Sequence, residues 1–539
     1  MENRSRFIIY LPIALAVVLI LGIWLGGKLS FVSNDKSEKS LFVKPAHPDK
    51  ITELINYVQQ DYVDSVSRQD LTDDAIEGVL EKLDPHSAYI PAKDISEVED
   101  QLNSNFEGIG IQFRMEKDTI LVIQTIPGGP SEKAGLRAGD RIVNIDDTLM
   151  VGKKITSREV VSKLKGKRGS QVKVSIHRRG LSDLIDFTLT RDVIPTYSID
   201  IAYMVDDTIG YIKLSRFAEK TYEELVSALD KLLKEGMTRL ILDLRGNSGG
   251  FLQASIHVAD EFLTDRELIV YTEGHNRQNS YAYATGKGIF EKNKLEILID
   301  EASASASEIV AGAIQDNDRG LIIGRRSFGK GLVQEQMSFP DGSAVRLTVA
   351  RYHTPTGRCI QRPYKNGTKE YYEELYERYA SGDLENPDSV AFSDTIKYHT
   401  PGGKIVYGGG GIMPDVYVSL KPDPAEVLYN RMIHQNLIFQ YAFDYTDSER
   451  ASLQHYATVE DFRDNFKVDD RLFNGLLDYA RKQGLCFTPK EVSNSEKKIK
   501  ILLKAYIGRN LLDDAGFYPI YHDVDKIFQV ALDKLRKEK

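Results

Sequence analysis

The segment spanning residues 297–334 constrains the chain most, because two short apolar runs within it flank one helical pattern. The first run, Ile297 to Ile299, leads into a turn of alternating alanine and serine. The helical pattern places these apolar residues on one face: Ile309, Val310, Ala313 and Ile314. The second run, Leu321 to Ile323, precedes a lysine that lies between two glycines. Strand, turn, helix and strand in this order predict an α/β unit that brings the turn and the lysine together.

The turn and the lysine carry residue types suited to nucleophilic chemistry. Ser303, Ser305 and Ser307 all lie in the turn, and the residues alone do not separate them. A serine at a helix N-terminus lies near unpaired N–H groups, which favour developing negative charge. Lys330, between Gly329 and Gly331, becomes a base if burial lowers the pKa of its amine from about 10.4. The pattern favours a Ser–Lys hydrolase, and the alternative is a helix cap followed by a surface turn.

Composition narrows the class of protein. A chain of 539 residues predicts roughly three or four domains, and 42% apolar with 28% charged residues is typical of globular protein. The net charge of −9 argues against a general nucleic-acid binder, so we expect no nucleic-acid partner. Cys359 and Cys486 are far apart and match no metal spacing, which predicts two free thiols, no metal and no cofactor.

The N-terminus predicts a membrane anchor over residues 1–28. Phe7 to Gly27 contains no charged residue and is long enough to span a bilayer as a helix. Arg4 and Arg6 precede it, which favours a cytoplasmic N-terminus and export of the rest of the chain. We expect a single-pass protein of the bacterial inner membrane, with a tether over residues 29–46 and the later domains in the periplasm. A cleaved signal peptide is the alternative.

Residues 47–107 read as helical, and residues 108–192 change to short β-type runs separated by glycine turns. The loop of Gly108, Ile109, Gly110 and Ile111 can present backbone N–H groups to a terminal carboxylate. Together with the stretch from Ala134 to Asp146, it resembles a PDZ domain. The resemblance implies binding of protein or peptide substrates by their free C-terminus, and the alternative is a small β-domain without a ligand.

Residues 193–420 have α/β periodicity, with an apolar strand at Ile209–Leu214 and a second at Arg239–Leu244. The second strand runs into a loop that ends in Gly249 and Gly250. A glycine pair after a strand leaves backbone N–H groups free to point into a crevice. No phosphate-binding motif is present. An oxyanion hole and a simple turn are therefore the two interpretations that the residues leave open.

Several separate motifs now stand in one order along the chain: Leu83–Ser87, Leu242–Gly250, Ser303–Asp316, Ser327–Gln334, Arg351–Gln361 and Gly410–Asp415. With the PDZ-like segment, they resemble the carboxy-terminal processing peptidases, also called tail-specific proteases. The resemblance implies a crotonase-like α/β core that carries an inserted PDZ domain. It also implies that Ser305 is the nucleophile, Lys330 the general base and Gln334 the residue that positions the lysine.

The resemblance further implies an oxyanion hole made by the backbone N–H groups of Gly249 or Gly250 and of Ala306. Three acidic residues also match motif positions and are interpreted as supporting structure: Asp243, Glu308 and Asp316. The implied function is a membrane-anchored serine endopeptidase that recognises protein C-termini through its PDZ domain. A Ser-His-Asp triad built on His86, His275 or His353 is a competing hypothesis, but none of them lies in a triad motif. The alternative from another class is a non-catalytic PDZ scaffold of the cell envelope.

Two segments lie outside these motifs. Residues 364–398 predict an insertion that bears an acidic, tyrosine-rich helix, which we expect to be exposed. Residues 421–539 predict an all-α addition without a chemical motif, which we interpret as an accessory domain for packing, partner binding or homo-oligomer formation. The predicted helices of this addition are Ala425–Phe443, Val459–Lys467, Asp470–Gly484, Ser493–Leu512 and Val524–Lys537.

Overall fold

The computed structural model describes residues 16–21, 49–116, 118–152, 154–386 and 396–537. The chain divides into two compact units, residues 1–75 and residues 76–539. Residues 16–21 are helical, and the rest of the predicted anchor Phe7–Gly27 lies outside the described residues, as does the tether at 29–46. Within the described ranges, we find no helix whose length and apolar content suffice to cross a bilayer. The anchor therefore stays a prediction.

The first unit contains helix α1 (Lys50–Asp61) and the beginning of helix α2 (Arg68–Leu80). The carboxylate of Asp49 accepts a hydrogen bond from the backbone N–H of Thr52 at 2.8 Å, which caps the N-terminus of α1. The guanidinium of Arg68 donates to the side-chain oxygen of Asn56 at 2.5 Å and joins the two helices. Both helices lie within residues 47–107, which the sequence pattern reads as helical.

The second unit opens with β1 (Ala88–Ile90), α3 (Ile95–Leu102) and β2 (Asn105–Gly108). An antiparallel sheet follows, made of β3 (Ile111–Glu116), β4 (Thr119–Thr125), β5 (Arg141–Ile145), β6 (Thr148–Leu149), β7 (Gln171–His177) and β8 (Ile185–Thr190), with helices α4 (Pro130–Ala134) and α5 (Ser157–Leu164). The strand order is β3-β4-β5-β7-β8, so β3 is an edge strand. Strand β9 (Asp192–Pro195) pairs with β2 and closes the segment at its base.

A mostly parallel sheet of six strands is formed by β10 (Ile199–Met204), β11 (Ile209–Leu214), β12 (Arg239–Asp243), β15 (Lys294–Ile299), β16 (Leu321–Gly324) and β21 (Val416–Tyr417), in this order. All neighbours are parallel except β10 and β11. One face is covered by α6 (Thr221–Lys234), α7 (Leu252–Asp260) and α8 (Ala306–Asp316). Every residue of α8 is buried. The mixed α/β class is therefore present, and the crotonase-like assignment stays an expectation from the resemblance.

A second sheet lies beside the parallel one and has the order β1-β18-β13-β14, with β17 also paired to β18. Its remaining strands are β13 (Leu268–Gly274), β14 (Arg277–Tyr283), β17 (Leu332–Ser338) and β18 (Ala344–His353). Helix α9 (Thr368–Ala380) and the strand pair β19 (Lys397–His399) and β20 (Ile405–Tyr407) follow. Residues 325–331, which we call the lysine loop, connect β16 to β17. Because β17 begins directly after the glycine-flanked lysine, this sheet brings the lysine loop to the edge of the parallel sheet.

The described residues from Pro424 onward contain a short 3₁₀ turn, Pro424–Glu426, and helices only. The helices are α10 (Val427–His434), α11 (Leu437–Ser448), α12 (Arg450–Leu453), α13 (Val459–Asn465), α14 (Asp470–Lys482), α15 (Pro489–Tyr521) and α16 (Lys526–Lys537). The single helix predicted over Ala425–Phe443 is wrong, because Asn436 has a positive φ of 56° and separates α10 from α11. The prediction of a helix end at Leu512 matches a kink within α15, where Asp513 has φ 54°.

The last helix differs from the expectation of an accessory domain, because α16 packs on the parallel sheet. Its buried apolar face is Ile527, Phe528, Ala531, Leu532 and Leu535. The face of the sheet that it covers includes Tyr211, Ile241 and Leu298, all fully buried. Residues at the end of the chain therefore complete the core, and only the helices before α16 form a hydrophobic cluster of their own.

Candidate active site

The turn before α8 has a strained backbone at Ser305. Its φ of 54° and ψ of −110° lie outside the backbone regions that residues other than glycine normally adopt. Such a conformation costs about 1–3 kcal/mol and persists only when its surroundings hold it. Here the backbone N–H of Ser305 donates to Glu308 Oε2 at 2.8 Å, and its carbonyl lies 3.1 Å from the hydroxyl of Tyr352. The turn is thus held on both sides.

The structure separates the three serines of this turn. The hydroxyl of Ser303 donates to the carbonyl of Leu244 at 2.9 Å, and that of Ser307 donates to the carbonyl of Asn247 at 2.8 Å. Both serines are fully buried. Ser305 instead lines a cavity of about 310 Å³. Ser303 and Ser307 therefore have structural roles, and Ser305 is the serine that a ligand can reach.

Lys330 and Gln334 line the same cavity. Lys330 Nζ donates to Gln334 Oε1 at 3.0 Å, and Gln334 Nε2 donates to the carbonyl of His86 at 2.9 Å. Because a carbonyl oxygen can only accept, His86 turns the amide group of Gln334 so that its oxygen faces the lysine. The His86 loop is itself held by Asp84 Oδ1, which accepts the backbone N–H groups of His86 and Ser87, both at 2.9 Å. The sequence placed Leu83–Ser87 among the motifs but assigned these residues no role.

Two causes lower the pKa of Lys330. Burial of the amine contributes most, and the guanidinium of Arg346 adds to it. The carboxylates of Glu308 and Asp84 act in the opposite direction but more weakly. The sequence predicted that burial lowers the pKa of Lys330, but it did not identify Arg346 as a second cause. The result is a larger neutral fraction of the amine, which is the form that can accept a proton.

The carboxylate of Glu308 connects the serine turn to the lysine loop. Its Oε1 accepts from the hydroxyl of Ser327 at 2.5 Å and from the N–H of Gly329 at 2.7 Å. Its Oε2 accepts from the N–H groups of Ser305 at 2.8 Å and Lys330 at 2.9 Å. Burial raises the pKa of Glu308, and the four donors oppose that shift. The motif position of Glu308 suggested only a supporting role. Its four hydrogen bonds instead hold the serine turn and the lysine loop together.

Tyr352 provides a second connection between the same two segments. Its hydroxyl lies 3.1 Å from the carbonyl of Ser305 and 2.6 Å from the carbonyl of Lys330. The side chain is almost fully buried. The sequence marked Tyr352 only as part of a motif, because its two partners are distant along the chain.

The backbone donors predicted for an oxyanion differ in their availability. The N–H of Gly249 donates to Asn247 Oδ1 at 2.9 Å, so this predicted donor is already engaged. The N–H groups of Gly250 and Ala306 have no hydrogen-bond partner in the part of the chain that the structure describes, and both residues line the cavity. Gly250 has φ 148°, and an added Cβ would lie 1.9 Å from the carbonyl oxygen of Phe217. Only glycine fits at this position.

Helix α9 supports the lysine loop, which corrects the expectation that the helix of insertion 364–398 is exposed. Arg378 donates to the carbonyls of Ser327 at 2.8 Å and Phe328 at 3.3 Å. Tyr371 places its hydroxyl 2.9 Å from His86 Nε2. Tyr371 and Arg378 are each 3% exposed, whereas Tyr376 on the outer face is 79% exposed. Arg378 also pairs with Glu374 of the same helix at 2.8 Å, which partly offsets its charge on this buried face.

The three histidines considered for a triad have other surroundings. Burial, followed by the charge of Lys330, lowers the pKa of His86 to about 4, and its ring contacts Tyr371. The ring of His353 stacks on Tyr271 with centroids 4.7 Å apart, and His275 is exposed in a turn. Among the described residues, none of the three donates to or accepts from Ser305. The geometry therefore gives no support to a Ser-His-Asp triad.

The loop at residues 108–111 has the backbone polarity that a carboxylate requires. The carbonyl of Ile109 accepts from the N–H of Ser131 at 3.1 Å and from its hydroxyl at 2.7 Å, and the carbonyl of Gly110 accepts from the N–H of Ile126 at 3.0 Å. The N–H groups of Ile109 and Gly110 have no partner within the described ranges. Gly108 pairs with Asp192 in the β2–β9 ladder, and Ile111 starts the edge strand β3.

Comparison with known proteins identifies three segments. Residues 208–370 match peptidase family S41, residues 108–189 match the PDZ domain, and residues 428–513 match a family of unknown function, DUF8443. The carboxy-terminal-processing protease of Bartonella bacilliformis is 38% identical over 314 residues, which are 57% of this chain and 71% of the relative. The carboxy-terminal processing protease CtpA of Bacillus subtilis is 32% identical over 357 residues, 66% of this chain and 75% of the relative.

Among solved structures, the photosystem II D1 C-terminal processing protease is similar at 28% identity with a TM-score of 0.36, covering 68% of this chain and 92% of that one. The matched regions cover 71% and 75% of the two sequence relatives. The family S41 match includes the serine turn and the lysine loop. This chain therefore belongs to peptidase family S41, with the carboxy-terminal processing proteases, and is a serine-type peptidase that carries a PDZ domain.

Proposed function

We propose that this peptidase cleaves peptide bonds with a dyad of Ser305 and Lys330, assisted by Gln334. The observation that carries the proposal is one cavity that contains Ser305, the amine of Lys330 with its hydrogen bond to Gln334, and two unengaged backbone N–H groups. A nucleophile, a base and donors for an oxyanion are the parts that acyl transfer requires. The alternative, a non-catalytic scaffold, gives no reason for this assembly.

The reaction follows from these positions. Neutral Lys330 Nζ accepts the proton of the Ser305 hydroxyl while Oγ attacks the carbonyl carbon of the substrate. The negative oxygen of the tetrahedral intermediate accepts hydrogen bonds from the N–H groups of Gly250 and Ala306, and the N-terminus of α8 adds a favourable dipole. The ammonium of Lys330 then donates its proton to the leaving amine, which leaves an acyl group on Ser305. Water, deprotonated by Lys330, hydrolyses this ester and restores the serine.

The proposal includes recognition of substrate C-termini by the PDZ domain. The free N–H groups of Ile109 and Gly110 can bind a terminal carboxylate, and the open edge of β3 can pair with the residues that precede it. The anchor at Phe7–Gly27 and a periplasmic location complete the proposal, and they are supported by the sequence pattern alone. Self-association through the C-terminal helices stays a prediction.

Replacing either member of the dyad should abolish cleavage. We expect Ser305→Ala and Lys330→Met to lower kcat for an unstructured protein substrate by at least about 10³-fold, because the remaining groups cannot form the acyl-enzyme. Activity of the unaltered protein should rise with pH through the lowered pKa of Lys330, since only the neutral amine is a base. Ser280→Ala, at an exposed position, is the control. Unchanged cleavage by Lys330→Met would contradict the proposed dyad.

Loosening the lysine loop from α9 should lower turnover without touching the reacting groups. We expect Arg378→Ala to reduce kcat by about 10–100-fold, because a displacement of roughly 1 Å is enough for such a loss. The measurement is steady-state kinetics well below the melting temperature, with circular dichroism to verify folding. Tyr376→Ala on the exposed face of the same helix is the matched control. Equal activity of the two variants would contradict a role for Arg378 in holding Lys330.

Blocking the terminal carboxylate of a peptide should weaken its binding to the PDZ domain. We expect a peptide with a free C-terminus to bind at least about tenfold more tightly than its amidated form, because charge-assisted hydrogen bonds contribute about 1.5–3 kcal/mol. Fluorescence anisotropy with the Ser305→Ala protein measures binding without cleavage. Equal affinity for both peptides would exclude carboxylate recognition by residues 108–111.

The anchor can be tested by fractionation of cells that express the full chain. We expect the protein to stay with the membrane after a carbonate wash and to retain its N-terminal residues in mass spectrometry of the intact protein. Release of a shorter protein that begins after Gly27 would instead identify a cleaved signal peptide.

A further inference from the structure

The cavity around Ser305 contains one charge that takes no part in the proton transfers of the proposed reaction. Among its described lining residues, Lys330 and Arg346 carry the only ionisable side chains apart from the phenol of Tyr352. Leu252, Ile309 and Leu332 supply apolar parts of the wall, and none of its described lining residues is acidic. A neutral Lys330 leaves Arg346 as the single permanent charge beside the nucleophile, because a guanidinium is not deprotonated in proteins.

Within the part of the chain that the structure describes, Arg346 has no charged partner of its own. It lies on β18, directly opposite Gln336 of β17, and donates to Gln336 Oε1 at 3.4 Å, a long and weak hydrogen bond. No carboxylate lies within ion-pair distance of its guanidinium in the described ranges of the chain. Burial is what lowers the pKa of Arg346 from its ordinary value. Other buried arginines of this unit have carboxylate partners, for example Arg378 with Glu374 at 2.8 Å.

The position of Arg346 keeps its guanidinium accessible to a ligand. The side chain is half-buried, and Gln336 beside it is exposed at the mouth of the cavity. A half-buried cation without a counter-ion has lost part of its hydration and gains most from a bidentate carboxylate. Main-chain groups of a bound polypeptide cannot supply that charge, so the complementary group is an acidic side chain or a terminal carboxylate.

We propose that Arg346 is a specificity-determining residue that binds a carboxylate of the polypeptide substrate beside the cleaved bond. This inference rests on the proposed function and names the chemistry of its substrate: an acidic side chain next to apolar residues. An aspartate or glutamate of the substrate is the favoured source, because the PDZ loop at residues 108–111 already offers a separate site for the terminal carboxylate. A second consequence is that basic residues at the same substrate position are disfavoured by like-charge repulsion.

The test uses a set of peptides that differ only in one residue, which is Glu, Gln or Lys in turn at each position flanking the cleaved bond. The peptides are cleaved by the full-length protein and by Arg346→Lys, Arg346→Gln and Arg346→Glu. At one position, we expect the unaltered protein to prefer Glu over Gln by about tenfold in kcat/KM and to disfavour Lys. Arg346→Lys should keep this order, Arg346→Gln should lose it, and Arg346→Glu should prefer Lys.

Comparing ratios within each variant removes any general loss of activity or any shift in the pKa of Lys330. Arg351→Glu, at an exposed position on the same strand outside the cavity, controls for long-range charge and should keep the preference for Glu. Short peptides with a free or an amidated C-terminus distinguish a side-chain carboxylate from a terminal one. The same Glu-to-Lys ratio in all Arg346 variants would overturn the inference while Ser305-dependent cleavage left the proposed function intact. Cleavage that survives Ser305→Ala would overturn the proposed function itself.

Discussion

The active-site geometry depends on the buried carboxylate of Glu308. Burying a charge is costly unless hydrogen bonds replace its hydration, and Glu308 accepts four of them between 2.5 and 2.9 Å. Two come from Ser305 and Lys330 themselves, and two come from Ser327 and Gly329 in the loop before the lysine. Losing any one donor would leave part of a buried charge unsatisfied. The serine turn and the lysine loop are therefore coupled, and the strain at Ser305 is offset by the same carboxylate.

The parallel sheet explains why these loops meet. Residues 245–250, the serine turn and the lysine loop follow β12, β15 and β16, and the carboxyl ends of neighbouring parallel strands lie at one edge of a sheet. The second sheet contributes the other wall, since Gln334 and Arg346 lie on its strands β17 and β18. Each sheet alone would present half a site. The cavity exists only where the two sheets adjoin.

Elements that lie largely beyond the S41 match at residues 208–370 hold the same loops in place. Helix α9 contacts the lysine loop and the His86 loop, and the segment before α16 contacts the loop after β12. In the loop after β12, Arg245 donates to Asp243 at the end of that strand. It also donates to both carboxylate oxygens of Asp525, at 2.7 and 2.9 Å. Burial raises the pKa of Asp243, but the charges of Arg245 and Lys213 outweigh burial and hold it well below its usual range. The C-terminal segment thus has a part in fixing the loop that carries Gly250.

Local pattern determined the elements of this protein well. The strand Ile209–Leu214 is found with the predicted bounds, the strand predicted at Arg239–Leu244 ends one residue earlier, and the turn, helix and lysine of residues 297–334 occur in the predicted order. These features depend on periodicity, capping and glycine conformations, which act between residues close in sequence. The glycine-flanked Lys330 stood out in the same pattern, whereas Ser305 and Gln334 were singled out only by the resemblance to the carboxy-terminal processing peptidases.

Tertiary structure alone decided which groups are free and which are engaged. It assigned the hydroxyls of Ser303 and Ser307 to backbone carbonyls, engaged the N–H of Gly249, and buried one face of α9. It also brought Arg346 to the wall of the cavity that contains Lys330. Each of these outcomes depends on a partner that lies far away along the chain. Sequence pattern reports what a residue can do, whereas burial and the nearest partner decide what it does, and both arise only when distant segments pack together.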